Sequence, residues 1–138
     1  MYVDTSGVLA FLDGDDLHHD RSRRAWEQAM ESQARMIMTE YVRLESWSLI
    51  QRRLGLDAVQ DFHQVLLPMM EVVRVDEPTF DLLCRQVLLS KRRKLSLVDL
   101  SSFDCMQTMG IEHALAFDKH FNEMGFQTPQ QDAWTRGL

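Results

Sequence analysis

The sequence predicts an α/β fold: a short parallel sheet with helices on both faces. Three observations point there. Short apolar runs alternate with longer stretches of helical periodicity. The runs are apolar throughout rather than alternating, as strands buried on both faces must be. Helix-start residues follow the runs closely. The 138 residues fit one domain spanning positions 1–138, and 45% apolar residues suffice to fill its core.

The elements follow in order. Tyr2-Val3, or Met1 to Val3, reads as the first strand. Trp26, Ala29, Met30 and Gln33 mark one face of a first long helix. Met36-Ile37-Met38 is the second strand, with Thr39 placed to cap the next helix. Val59, Phe62, Val65 and Leu66 repeat at helical spacing, and Asp57 with Gln60 resembles a capping box ahead of them. Val72 to Val75 is the third strand. Pro78 suits a first helical position before the Phe80, Leu83, Val87 stripe. Ser96 with Asp99 matches a second capping box, opening a helix whose apolar face includes Phe103 and Met106. Ala114 to Phe117 is the fourth strand.

Composition excludes several functions. No apolar run approaches a membrane span, and the N-terminus has neither basic head nor apolar signal core, so a cytoplasmic protein is expected. Cys84 and Cys105 stand in no metal-binding or redox spacing and read as free thiols packed in the core. A net charge of −6 argues against a generic nucleic-acid binder. The basic residues are bunched, however: Lys91-Arg92-Arg93-Lys94, then Arg21, Arg23 and Arg24, then Arg52-Arg53. Singly, each reads as a solvated helix end. Together they allow a basic rim around an acidic centre.

In an open parallel sheet, ligands bind beyond the carboxyl ends of the strands. Asp4 ends the first strand there and Asp118 the fourth, while Asp99 begins a helix at that edge. Glu45 sits six residues into the helix that Thr39 starts, about 9 Å along its axis. Its side chain leans back toward the helix N-terminus, hence toward the same edge. Each acid has an ordinary alternative use: Asp4 and Asp118 as helix caps, Asp99 as the acid of a capping box, Glu45 as a boundary residue. Their convergence points further. Two unit charges 4 Å apart repel by about 4 kcal/mol at an effective dielectric of 20. Four carboxylates in one pocket therefore need protons or a cation. All-oxygen donors select Mg²⁺ or Mn²⁺. Such an ion orients a water, lowers its pKa and offsets charge on a phosphate in transfer. The expected chemistry is phosphodiester hydrolysis, leaving a 5′-phosphate and a 3′-hydroxyl.

At these residues the chain resembles the PIN-domain family, and within it the VapC-type toxins of toxin–antitoxin pairs. Tyr2-Val3-Asp4-Thr5-Ser6 resembles the family's opening strand and first acid. Thr39 to Glu45 resembles its second segment, Leu95 to Phe103 its third, and Ala116 to Phe121 its fourth. The resemblance runs through nearly the whole chain. It implies a three-layer α/β/α fold, Mg²⁺ or Mn²⁺ dependence and endoribonuclease activity. It also implies a homodimer and a small cognate antitoxin that inserts a basic side chain into the acidic pocket. By position it makes Asp4, Glu45, Asp99 and Asp118 the catalytic and metal-site acids, with Asp118 the least uniform of them. Thr5 or Ser6 would support the site by hydrogen bonding. Asp104 departs from the family pattern. It lies about 140° around the helix from Asp99 and is left outside the site, as a salt-bridged or exposed residue.

Other candidates are weaker. His18 and His19, among Asp15, Asp16 and Asp20, read as a solvated turn, because no ordered ligand spacing fixes them. His63, His113 and His120 read as isolated. The glycines are scattered, without a phosphate-binding loop. Rival readings are a PIN nuclease of RNA processing or decay without an antitoxin, a non-catalytic PIN-like binding module, and a phosphoacceptor signalling domain. The last would want adjacent acids after the first strand, where Thr5 and Ser6 stand.

Overall fold

A computed structural model describes residues 1–131 and Trp134. The elements are β1 (Tyr2–Val3), α1 (Thr5–Leu12), α2 (His19–Glu31), β2 (Met36–Thr39), α3 (Glu40–Arg53), α4 (Leu56–Asp61), β3 (Met70–Val73), α5 (Glu77–Ser90), α6 (Leu97–Met109), β4 (Ala114–Leu115) and α7 (Lys119–Glu123). The strands form one parallel sheet in the order β3-β2-β1-β4. Every residue of β1, β2 and β4 is buried. Successive strand residues face opposite sides, so both faces must be covered. The architecture is the expected three-layer α/β/α fold.

Several local expectations shift. The third strand is Met70–Val73, two residues earlier than Val72 to Val75, because β3 pairs residue for residue with Met36–Thr39. β2 gives way to α3 at Glu40, whose Oε1 accepts the Val75 N–H at 2.9 Å. The fourth strand stops at Leu115: the Ala116 N–H turns back to the Ala114 carbonyl, and that of Phe117 goes to Ser6 Oγ. On α2 the buried stripe is Ser22, Ala25, Trp26 and Ala29. Met30, one residue round from Ala29, is 53% exposed, and Gln33 lies beyond the helix end at φ +54°. The Asp57–Gln60 capping box does not form. α4 starts from Gly55, whose φ of +93° suits glycine, without a side-chain cap. A π-helical turn over Phe62–Leu66 follows. Its extra residue breaks the 3.6 spacing, so Val65 is 57% exposed while Phe62 and Leu66 are buried. Pro78 is the second residue of α5, behind the Asp76 cap; Leu83 is buried, with Phe80 and Val87 half-buried. The Ser96–Asp99 capping box forms with both arms.

The chain builds β1, β2 and β3 outward in one direction, then returns to place β4 on the other side of β1. That reversal leaves a crevice between the carboxyl ends of β1 and β4, where open α/β sheets bind ligands. α1 presses closely on β4: a Cβ at Gly7 would stand 2.3 Å from the Leu115 carbonyl oxygen. Ser22 Oγ donates to the Gly7 carbonyl at 2.8 Å and docks α2 on α1.

Candidate metal centre

Asp4 leaves β1 and caps α1. Its Oδ2 accepts the Ser6 N–H at 3.0 Å and the Ser6 hydroxyl at 2.5 Å. It is 6% exposed. Burial pushes its carboxyl up to about 6; the two Ser6 hydrogen bonds oppose this, and the charges of Asp99 and Glu45 add to it. Those three acids therefore share one electrostatic environment. Among the described residues no basic side chain forms an ion pair with any of them.

Asp99 is the third residue of α6 and half-buried. Its Oδ2 accepts the Ser96 N–H at 2.9 Å, and its own N–H donates to Ser96 Oγ at 3.0 Å. Glu45 is half-buried on α3, in the wall of an apolar groove with Tyr41, Leu44, Phe80, Leu97 and Val98. Asp118 caps α7, accepting the His120 N–H at 2.9 Å, and does not contribute to the shift at Asp4. It stands at the rim. Its segment is nevertheless tied to the centre, because the Phe117 N–H donates at 3.0 Å to the same Ser6 hydroxyl that holds Asp4. Thr5 accepts from Ser46 Oγ at 3.1 Å and so joins α1 to the helix of Glu45, without touching an acid.

Asp4, Asp99 and Asp118 thus use one carboxylate oxygen each for local capping. Among the described residues no three His, Cys, Asp or Glu side chains are drawn together to metal-ligand spacing. The donor set still fits a hard divalent cation. Three carboxylates approach without a basic partner, and one of them is held partly protonated by burial; a cation would relieve both conditions. The fitting residues are Asp4, Glu45 and Asp99, with Asp118 beside them.

Several polar residues escaped the sequence reading. Tyr2 Oη donates to Ser102 Oγ at 2.8 Å, Thr39 Oγ1 meets Ser101 Oγ at 3.2 Å, and Tyr2 and Thr39 touch each other. This buried network locks β1, β2 and α6 just behind Asp4 and Asp99. Burial holds the Tyr2 phenol above its ordinary pKa, so it stays a donor. The available signal was a tyrosine in a strand that is otherwise apolar and buried, since a buried hydroxyl needs a partner. His120 is not isolated: it is buried and its Nδ1 lies 3.0 Å from Glu123, which also pairs with Arg92 at 2.9 Å. His18 and His19 are not simply solvated. His18 stacks on Phe117 at 4.5 Å, and His19 Nδ1 lies 3.0 Å from the Ala10 carbonyl. Asp104 is half-buried and forms no salt bridge among the described residues. Both cysteines are free; Cys105 is buried and Cys84 half-buried.

Comparison with known proteins agrees with this geometry. The PIN domain model matches residues 1–127. The chain is similar to the 23S rRNA-specific endonuclease VapC20 of Mycobacterium tuberculosis, in strains CDC 1551 / Oshkosh and ATCC 25618 / H37Rv alike. It is 34% identical to that protein over 130 residues, which cover 91% of this chain and 95% of the relative. It also superposes on the crystal structure of VapC20, described as a sarcin-ricin loop cleaving toxin. The TM-score is 0.78 at 28% identity, again over 91% and 95% of the two chains. A parallel sheet in this strand order, an acid directly after β1, and matches of this extent lead to one conclusion: the chain belongs to the PIN-domain family, among its VapC-type ribonucleases.

Proposed function

We propose that Asp4, Glu45 and Asp99 hold a Mg²⁺ or Mn²⁺ ion for RNA hydrolysis, with Asp118 assisting from the rim. One observation carries this reading. Asp4 is almost fully buried, faces two further acids, and has no basic partner among the described residues. Nucleases of this family generally depend on a divalent metal. When bound, such an ion supplies charge neutralisation at the phosphate and a more acidic water. The chain's own residues orient the site. Ser6 fixes the Asp4 carboxylate, the capping box fixes Asp99, and the contact from Thr5 to Ser46 fixes the turn of α3 that carries Glu45.

The whole chain, residues 1–138, acts as one domain in this reading. Ribosomal RNA is the first substrate to test, by kinship with VapC20. The partner is a small antitoxin. The apolar groove beside Glu45 supports its docking, because a helix laid there would bring a basic side chain to the acids. A homodimer and a cytoplasmic location complete the proposal. No helix among the described residues is long and apolar enough to cross a membrane.

The test is sequencing of RNA ends from cells expressing wild type and Asp99→Asn, alongside cleavage by the purified protein with Mn²⁺ and with excess EDTA. New 5′-phosphate ends are expected with wild type alone, and none in EDTA. Equal cleavage in EDTA would refute the metal assignment.

A further inference from the structure

Beside the acidic edge lies a second concavity, partly built from residues beyond the family match at 1–127. α2 presents Arg21, Arg24 and Gln28 along one stripe, at spacings of three and four residues. Gln130, Gln131 and Trp134 close over them, leaving a cleft of about 290 Å³. That is near the lower end of small-ligand sites. It suits one phosphate and its sugar better than an extended cofactor. The polar lining is rich in donors: two guanidinium forks and three side-chain amides, with no carboxylate among the described lining residues. Arg23 pairs with Glu27 at 3.0 Å, whereas Arg21 and Arg24 meet no carboxylate at ion-pair distance among the described residues. Guanidinium forks match phosphate oxygens in pairs.

The cleft and the acidic edge share a wall. Gln130 Nε2 donates to the Phe117 carbonyl at 3.2 Å; Phe117 precedes Asp118, and its N–H is held by Ser6. A strand that leaves the acids on the Asp118 side carries its next phosphate past this wall. We propose that the cleft between α2 and the side formed by Pro129, Gln130, Gln131 and Trp134 is a subsite for an RNA backbone phosphate flanking the cleaved bond, gripped by Arg21 and Arg24. This rests on the ribonuclease reading. An acidic peptide could also meet two arginines, but the wall shared with the Asp118 segment favours a strand that already lies across the acids.

The test measures binding of a labelled single-stranded RNA in EDTA, where metal-dependent cleavage is off. Arg21→Gln/Arg24→Gln should weaken binding about tenfold. It should also lower the slope of log affinity against log salt by about 0.7 for each phosphate that is no longer neutralised. Arg52→Gln/Arg53→Gln removes the same charge from the last turn of α3, about 20 Å along the helix axis from the strand edge and so outside the basic rim that the sequence allowed, and should change neither. All four arginines are exposed, so unfolding is not expected, and thermal melts check this. In cleavage with Mn²⁺, the Arg21/Arg24 variant should raise KM and keep kcat. Equal losses in both variants, or none in the first, would overturn the subsite. So would unchanged RNA affinity combined with weakened binding of a polyglutamate peptide. If wild type cleaves no RNA with Mn²⁺, the nuclease reading fails instead, while metal-free binding still reports on the cleft.

Discussion

Asp4 and Asp118 stand at neighbouring junctions of one sheet edge and do the same local job. Asp4 directly follows β1 and Asp118 follows β4 after Ala116 and Phe117; each caps the following helix and accepts the backbone N–H two residues on, at 3.0 and 2.9 Å. Their surroundings differ. Asp4 is sealed against two other acids and its carboxyl is raised to about 6; Asp118 is half-buried and outside that group. Capping is enough to account for the placement of Asp118, since an exposed aspartate caps as well as a buried one. It does not explain why Asp4 is buried. A lone cap gains nothing from a place where its charge is disfavoured, so the burial of Asp4 supports the proposed metal site.

Asp4→Asn breaks the comparison most sharply. Asn keeps the cap and removes the charge. Cleavage should fall on the order of 10³-fold, as for loss of a key charge-stabilising group. Stability should move the other way. An acid with a folded pKa near 6 and an unfolded value near 3.9 is neutral in both states at low pH. It destabilises the fold progressively as pH rises through that window. The cost is roughly 3 kcal/mol by pH 7.5. Metal-free wild type should therefore lose stability from pH 4 to pH 7 relative to Asp4→Asn. Mg²⁺ should restore it at pH 7.5 and much less at pH 5, where protons compete. Thermal melts of both proteins, with and without Mg²⁺, measure this. A less stable Asp4→Asn at pH 7.5 would count against the burial argument.

Ser6→Ala comes next, because its hydroxyl is the link between the two junctions. The substitution removes a donor from Asp4 and an acceptor from the Phe117 N–H. An unpaired buried donor costs about 1–3 kcal/mol. Cleavage should drop by roughly 10- to 100-fold, with Asp4 titrating higher still. Ser6→Thr, which keeps the hydroxyl, should recover part of both. Asp118→Asn should do less: about tenfold in rate and little in stability, because the cap survives. Equal losses for Asp4→Asn and Asp118→Asn would abolish the distinction between centre and rim.

The parts of this arrangement that depend on neighbours along the chain were legible in the sequence. Asp4 at a strand end, the Ser96–Asp99 capping box and the Asp118 cap are short-range patterns. Glu45 needed one more step, the backward lean of helical side chains. What depended on distant partners was not legible. The register of β3 is set by β2, and the π turn at Phe62–Leu66 hides in an ordinary apolar stripe. Ser6 bridges to a residue 111 positions away. Tyr2, Thr39, Ser101 and Ser102 find one another only when β1, β2 and α6 meet.

Asp99 provides the finest test, because it lies inside its helix rather than at the cap. Ser96→Ala deletes the acceptor of the Asp99 N–H and leaves the reverse bond, from the Ser96 N–H to Asp99 Oδ2, in place. The loss of one capping arm should cost about 1 kcal/mol by denaturant melt. If Asp99 owes its position to the helix backbone, cleavage should fall less than about threefold, a change near 0.6 kcal/mol in barrier. A loss comparable to that of Ser6→Ala would mean that the box, not the helix, aims Asp99. The hydroxyls of Ser96 and Ser6 would then perform one function at two junctions: each would turn an acid that its helix end alone leaves free toward the same edge.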